Sequence, residues 1–346
     1  MEVKNYESNK GAKIFQVPLQ LFPGLDGFVY LVFVESTEWG SYRVLIDTGS
    51  GFGESNQQLE TGFEKVSKAI GDSLMLSDLT HVFITHSHID HFGGLSYVRP
   101  RTEAEIGVHE LDLRNLTNYE ERLAIAARRL DTFLIEAGVD NEHRSQLIDL
   151  YMITKSLHRS VRVDFTYEAE DMRVGPFEML HVPGHSAGHV VIRLDDILFS
   201  GDHVLSNITP HQSPERLTLS TGLEHYLNSL DKLLDWATDI RLTLGGHEDP
   251  IYDLKPRTEG IRSSHSQRLQ RVLDLLIEPH TISEVSLTLF GEVSGYNVLL
   301  ALEEAGAHVE YLYQRGFLGI DNLEELENSD GTVPLRYICL PCIVDE

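Results

Sequence analysis

Hydrophobic positions along the chain follow two rhythms. Between residues 13 and 47, short runs rich in Val, Ile, Phe, Tyr and Leu (Lys13–Gln20, Phe28–Glu35 and Tyr42–Asp47) alternate with turn signals such as Pro23-Gly24 and Asp26-Gly27, which predicts successive strands. Residues 56–70 change period, with Leu59, Phe63, Val66 and Ile70 recurring on one helical face. Further strands are predicted at His81–Thr85, Ala104–His109, Phe177–Val182 and Ile240–Leu244. His189–Leu194 and Ile197–Ser200 flank an Asp-Asp turn and read as a hairpin.

A helical stretch over 117–160 interrupts this strand-dominated pattern. Leu123, Ala127, Leu130, Leu134 and Ala137 keep helical spacing, Gly138 is placed to stop the helix, and Asp140 to cap the next, which carries Leu147, Tyr151 and Leu157. The pair reads as an insert whose one apolar face needs covering, and a lid over a neighbouring site is expected; dimerisation would serve the same need. Helical patterning returns in Ser263–Glu278, which Pro279 stops, and a capping box at Thr281-x-x-Glu284 opens another helix. With Tyr296–Ala305 and a turn-back at Gly316–Asn322, residues 263–330 suggest a small winged-helix-like domain. The expected organisation is a domain over 1–262, this smaller one over 263–330, and a tail at 331–346.

Composition narrows the class. Of 346 residues, 41% are hydrophobic, ample for a buried core. The net charge of −26 repels phosphate backbones and anionic membranes, so nucleic acid is an unfavourable partner. Residues 263–330 sharpen this point, with three Arg and no Lys against twelve acidic residues. No run approaches the ~18 apolar residues of a membrane span, and the first twenty residues hold no signal-like apolar run; a cytoplasmic location is expected. Only Cys339 and Cys342 occur. Two thiols cannot close a four-ligand zinc site, and the pair is read as incidental.

The chemistry lies in the 17 histidines, many of them clustered. Thr85-His86-Ser87-His88-Ile89-Asp90-His91-Phe92-Gly93-Gly94 follows directly on a buried-looking strand and packs four potential ligands into six residues. Imidazoles and a carboxylate so crowded repel or go unsatisfied unless a cation holds them. His185 in Pro183-Gly184-His185, Asp202 in Ser200-Gly201-Asp202 and His247 in Gly245-Gly246-His247 each stand at or beyond a strand end beside small neighbours. Five His and two Asp suffice for two ions of N/O type, with one carboxylate between them. Zinc is the default cofactor, and iron or manganese suits the donor set equally.

This motif set resembles the metallo-β-lactamase superfamily over roughly residues 13–260, with Asp47-Thr48-Gly49 similar to that superfamily's first motif. The resemblance implies an α/β fold, an αββα sandwich here carrying the helical insert and the C-terminal domain. It implies that His86, His88 and His185 bind one metal, that Asp90, His91 and His247 bind a second, and that Asp202 bridges them. Asp47 then lies outside the ligand set as a supporting residue. Asp202 argues against a true class B β-lactamase, His88 against the flavo-diiron branch, and the chain length against the RNA-processing branch with its long insert. A glyoxalase-II-like, lactonase-like or β-lactamase-like-protein-2-like hydrolase remains. The activity so implied is attack of a metal-bridging hydroxide on a small ester, thioester or lactone, with Asp90 and Asp202 as the catalytic carboxylates. The alternative is a phosphodiesterase or RNA endonuclease using the same ions.

The remaining candidates have everyday roles beside any functional one. His189 is expected to support the site, and His203 to be structural. His211 is a candidate substrate contact, and Tyr119, Tyr151, Lys155 and His158 are the side chains expected on the inner side of a lid. The partner expected is a small molecule, with a homodimer possible.

Overall fold

The computed structural model describes residues 2–341, which form two compact units. The first comprises Met1–Glu120, His158–Pro210 and Ser229–Thr258; the second takes Glu121–Leu157, His211–Asn228 and the chain from Glu259 onward. This division differs from the linear boundary expected at 262/263. The insert and a short later segment are built into the second unit with the C-terminal helices.

Two sheets make the first unit. One has seven strands in sequence order: β1 (Lys4–Glu7), β2 (Lys13–Phe22), β3 (Leu25–Ser36), β4 (Gly40–Ile46), β5 (His81–Phe83), β6 (Glu105–Val108) and β7 (Phe165–Thr166). Pairing is antiparallel from β1 to β4 and parallel from β4 to β7. The other sheet joins β8 (Arg173–Val174), β9 (Phe177–His181), β10 (Val190–Leu194), β11 (Ile197–Gly201) and β12 (Leu242–Gly245), with β11 and β12 parallel. Val32, Val44, Ile46 and Phe83 of the first sheet share one core with Met179, Val190, Ile192, Phe199 and Leu244 of the second. On its outer face the first sheet is covered by the helix Ser55–Ile70, which buries Leu59, Phe63 and Val66. There Gly62 lies so close to Val17 that a Cβ would stand 2.3 Å from its methyl group. Strands covered on both faces carry near-continuous apolar runs, which is why these segments are so readable. The result is a mixed α/β sandwich.

The core also aims the site. Phe83, at the end of β5, meets Phe177 edge-on at 5.2 Å and Tyr167 at 6.1 Å between ring centroids. The Tyr167 hydroxyl lies 3.0 Å from the Ile84 carbonyl and 2.9 Å from that of Gly107, fixing the chain just ahead of Thr85 and His86.

The second unit is helical. Tyr119–Glu136 and Asn141–Lys155 turn at Gly138, whose φ of +84° suits glycine, and the Asp140 carboxylate accepts from Glu142 N and His143 N as an N-cap. Leu130, Phe133, Leu134 and Leu147 pack with Val272, Leu276, Val285, Leu302 and Val309 of Leu254–Leu275, Ile282–Phe290, Asn297–Gln314 and the turn between them. The apolar face of the insert is therefore covered within its own unit, which removes the burial argument for a lid. Thr281 and Glu284 form the expected capping box. The segment expected as a tail supplies β14 (Tyr337–Cys339), paired antiparallel with β13 (Leu318–Ile320). Cys342 lies outside the described residues. Among the described residues, no helix is long and apolar enough to cross a membrane.

The acidic residues of Asn297–Gln314 serve internal contacts. Glu304 is buried; it accepts from Gln212 N at 2.7 Å and from Arg268 at 3.1 Å, while Glu310 accepts from Glu215 N at 2.6 Å. Beside them His308 donates Nδ1–H to the Glu304 carbonyl at 2.7 Å and contacts His265 Nδ1 at 3.1 Å. Burial, outweighing the nearby Glu304 carboxylate, holds the His265 pKa down at about 3. Below its ordinary ~6.5 the unfolded chain therefore gains a proton that the folded chain refuses, so stability is complete above that pH and falls as the pH drops toward 3. Urea unfolding of the whole chain is expected to show a lower midpoint at pH about 5 than at about 7.5, and His265→Gln should narrow the difference. An undiminished difference in the variant would exclude His265 as a contributor.

Candidate metal centre

Every expected ligand stands in a segment that leaves the end of a strand. β5 delivers His86, β9 runs to the His185 loop, β11 ends at Gly201 beside Asp202, and β12 ends two residues before His247. His88 precedes the single-turn helix Ile89–Phe92, which carries Asp90 and His91.

The folded chain brings these residues into two adjoining groups: His86, His88 and His185 in one, and Asp90, His91, Asp202 and His247 in the other. In each group one ligand atom per residue lies within 4.8 Å of all the rest. Asp202 Oδ2 stands 3.4 Å from His91 Nε2, 3.4 Å from His247 Nε2 and 3.7 Å from His185 Nε2, so one carboxylate reaches both groups. Asp90 Oδ2 is 3.4 Å from His247 Nε2 and 3.9 Å from His91 Nε2. Ligands bound at ~2.0–2.2 Å around a four-coordinate ion stand roughly 3.3–3.6 Å apart, so these spacings need little adjustment to enclose one.

The ring orientations fit the same purpose. His91 donates Nδ1–H to Asp47 Oδ2 at 2.8 Å, and His247 donates Nδ1–H to the Asp26 carbonyl at 2.7 Å, which leaves both Nε2 atoms facing the carboxylates. His86 Nδ1 contacts Thr85 Oγ1 at 3.0 Å, and that hydroxyl donates to Asp47 Oδ2 at 2.8 Å. His86 Nε2, His91 Nε2 and Asp202 Oδ1 are buried with no hydrogen-bond partner among the described residues, a costly arrangement unless a cation completes it.

The electrostatics differ between the groups. Burial, reinforced by the neighbouring imidazoles, pushes the His86 pKa well below its ordinary value, so its nitrogen lone pair is free of protons at neutral pH. At His91 burial acts downward too, but the carboxylates of Asp202, Asp47 and Asp90 prevail and hold the ring near about 10. The acidic group thus calls for positive charge, from a proton or from an ion.

Close packing leaves no latitude. A Cβ on Gly246 would lie 2.4 Å from His91 Cε1 and 2.6 Å from Asp202 Oδ1. Gly93 and Gly94 run against the carbonyls of Ser50 and Thr48, and Thr48 N donates to the His91 carbonyl at 2.7 Å, lacing the Asp47-Thr48-Gly49 turn to the metal loop.

Asp47 therefore touches one expected ligand directly and another through Thr85. His189 stacks on His86 at 4.6 Å, and its Nε2 accepts from Asp202 N at 3.1 Å. His203 lies buried 5.9 Å from His189. Tyr119 and His158 flank the Phe92 ring at 5.9 and 6.4 Å. His211, expected to meet substrate, contacts Glu303 at 3.1 Å within the second unit. Lys155 Nζ, also in that unit, lies over the Tyr151 ring, 5.3 Å from its centroid. Asp112, flanked in sequence by Leu111 and Leu113, carries no ligand-like spacing, yet the fold buries its carboxylate, which accepts from Ser87 N at 2.9 Å and Gly188 N at 3.1 Å.

A family model described as the metallo-beta-lactamase superfamily matches residues 24–275. The chain belongs to the metallo-beta-lactamase superfamily. A solved metallo-beta-lactamase family protein of Thermus thermophilus superposes with a TM-score of 0.73 at 26% identity, over 94% of this chain and 98% of that one. A beta-lactamase domain protein of Burkholderia ambifaria superposes at 0.70 and 22% identity, over 97% and 94% of the two chains, and speaks for the fold alone. In sequence, the chain is 26% identical to the "Probable metallo-hydrolase YqjP" of Bacillus subtilis (strain 168), over 83% of this chain and 88% of that one. It is 31% identical to a hydroxyacylglutathione hydrolase of Shewanella baltica (strain OS195), over 51% of each chain. With its two ligand groups in place, this superfamily member is a metal-dependent hydrolase whose site suits two divalent ions.

Gly246→Ala is expected to displace His91 or Asp202 and weaken metal binding by about 10–100-fold while far-UV circular dichroism stays unchanged. Zinc titration against a chromophoric chelator checks this; wild-type affinity in the variant would mean the close approach is not required.

Proposed function

We propose that the chain hydrolyses a small ester, thioester or lactone; His86, His88 and His185 would hold one divalent ion and Asp90, His91 and His247 the other, with Asp202 within reach of both groups. The observation that carries this reading is the reach of Asp202 Oδ2 to both groups, 3.4 Å to His91 and His247 and 3.7 Å to His185. Bound there, divalent ions supply Lewis acidity toward the scissile carbonyl and lower the pKa of a water from 15.7 to about 7. Zinc is the default for this all-His/Asp donor set.

The residues do the rest. Asp202 fixes the separation between the two groups, and His189 steadies Asp202 through its backbone N–H. Asp90 Oδ2 lies 3.4 Å from His247 Nε2, so the two side chains would hold the second ion together. Asp47 keeps the His91 ring turned so that Nε2, and not Nδ1, faces this space.

Similarity over half the chain to proteins named hydroxyacylglutathione hydrolase favours a thioester or related acyl substrate over a phosphodiester. The internal use of Glu304 and Glu310 and the scarcity of basic residues at 263–330 give a nucleic acid strand little to hold. The winged-helix-like reading of that region, a homodimer and a cytoplasmic location belong to this proposal as well.

Metal-loaded protein screened against thioesters, lactones and phosphodiesters is expected to turn over an acyl substrate, to lose activity with a chelator and to regain it on adding zinc. Asp202→Ala is expected to lower kcat by at least about 100-fold with the fold retained. Preferential turnover of phosphodiesters would overturn the substrate class, and full activity in Asp202→Ala would overturn the site.

A further inference from the structure

Asp112 stands in the first turn of the helix Glu110–Thr117 with no exposed surface, and nothing in the hydrolytic reading uses it. Its carboxylate gathers donors from two separate loops. Oδ2 accepts from Ser87 N at 2.9 Å and from Ser186 Oγ at 3.3 Å; Oδ1 accepts from Gly188 N at 3.1 Å and from Asn115 Nδ2 at 3.4 Å. Ser87 lies between His86 and His88, and Ser186 follows His185 directly. One buried carboxylate thus ties the loop carrying two ligands of the all-histidine group to the loop carrying the third.

We infer that Asp112 is the positioning residue of the His86–His88–His185 group: it touches no ion, and it sets the separation between the two loops that must close on one. This rests on the assignment of those three histidines as ligands of one ion.

Three features favour this role over generic core satisfaction. A carboxylate is acceptor-only, so it can take every one of these donors without contributing a competing hydrogen. Gly188 leaves room for it, since a Cβ there would stand 2.7 Å from Asp112 Cγ. The helix bearing Asp112 is itself fixed at its start, where His109 Nδ1 accepts from Leu111 N at 3.2 Å while Nε2 meets Glu168 at 2.7 Å and the ring stacks on His181 at 3.8 Å. Asp112 contacts neither Asp90 nor His91 nor His247 through any of its four hydrogen bonds. Its influence should therefore be one-sided.

The test exploits that asymmetry. Metal-free full-length wild type, Asp112→Asn and Gly188→Ala are titrated with zinc against a chromophoric chelator, with far-UV circular dichroism recorded for each. Asparagine keeps the volume but turns an N–H toward donors, and the alanine methyl pushes the carboxylate aside without altering it. Wild type is expected to bind two equivalents. Each variant is expected to bind one with affinity close to wild type and the other about 10–100-fold more weakly. Two equivalents at wild-type affinity in both variants would overturn the proposal. So would parallel weakening of both equivalents, which would make Asp112 a general fold residue. Failure of wild type to bind two equivalents would instead overturn the binuclear reading on which the proposal rests.

Discussion

The Asp47 carboxylate is the interaction on which the rest of the centre depends. It lies buried just after β4, with a positive φ of 58°, and takes three donors: Thr85 N at 2.8 Å, Thr85 Oγ1 at 2.8 Å and His91 Nδ1 at 2.8 Å. Hydrogen bonds to an ionised acceptor are worth about 1.5–3 kcal/mol each, and removing the acceptor strands every donor in a dry interior. Through these bonds a single side chain sets the ring of His91 directly and that of His86 by way of the Thr85 hydroxyl. Those two rings belong to different ligand groups, so Asp47 couples the two halves of the centre.

The sandwich makes such a carboxylate possible. Parallel neighbours β4, β5 and β6 send their chain ends to the same edge, so the turn after β4 and the loop after β5 meet there. Phe83, Tyr167 and Phe177 anchor the strand ends from the core side, and the glycines at 93, 94 and 246 allow backbone and ligand rings to approach within contact distance. What results is a concentration of imidazole and carboxylate that a folded chain would not bury for stability alone. Burial disfavours the charged His86, while three carboxylates favour a charged His91, and a pair of divalent ions answers both demands at once.

Much of this is legible in the sequence because the central strands of the first unit are buried and announce themselves as apolar runs, and because metal ligands cluster in sequence where one segment supplies several. The strands β2 to β4 and the helix Ser55–Ile70 lie within a few residues of their expected bounds. What escapes is non-local. Asp112 acts on residues 25 and 76 positions away, and no spacing rule reveals that. β14 is hidden in an expected tail because its partner β13 lies across the helix Leu323–Asn328. The helix Asn297–Gln314 runs nine residues past its expected end, carried by packing of Val309 and Leu312. The apolar face of the insert suggests a lid, whereas its cover is made by helices more than a hundred residues later in the chain. The acidic residues of the C-terminal region register in the sequence only as net charge, yet Glu304 and Glu310 bind backbone N–H groups of the 211–216 segment.

The measurement that bears most directly on this account is anomalous diffraction from crystals of protein purified without added chelator, combined with elemental analysis of the same sample. Two ions per chain are expected, one among His86, His88 and His185 and one among Asp90, His91 and His247, with density for the Asp202 carboxylate joining them. A single ion, with Asp90 and His247 uncoordinated and Asp202 turned away, would contradict it.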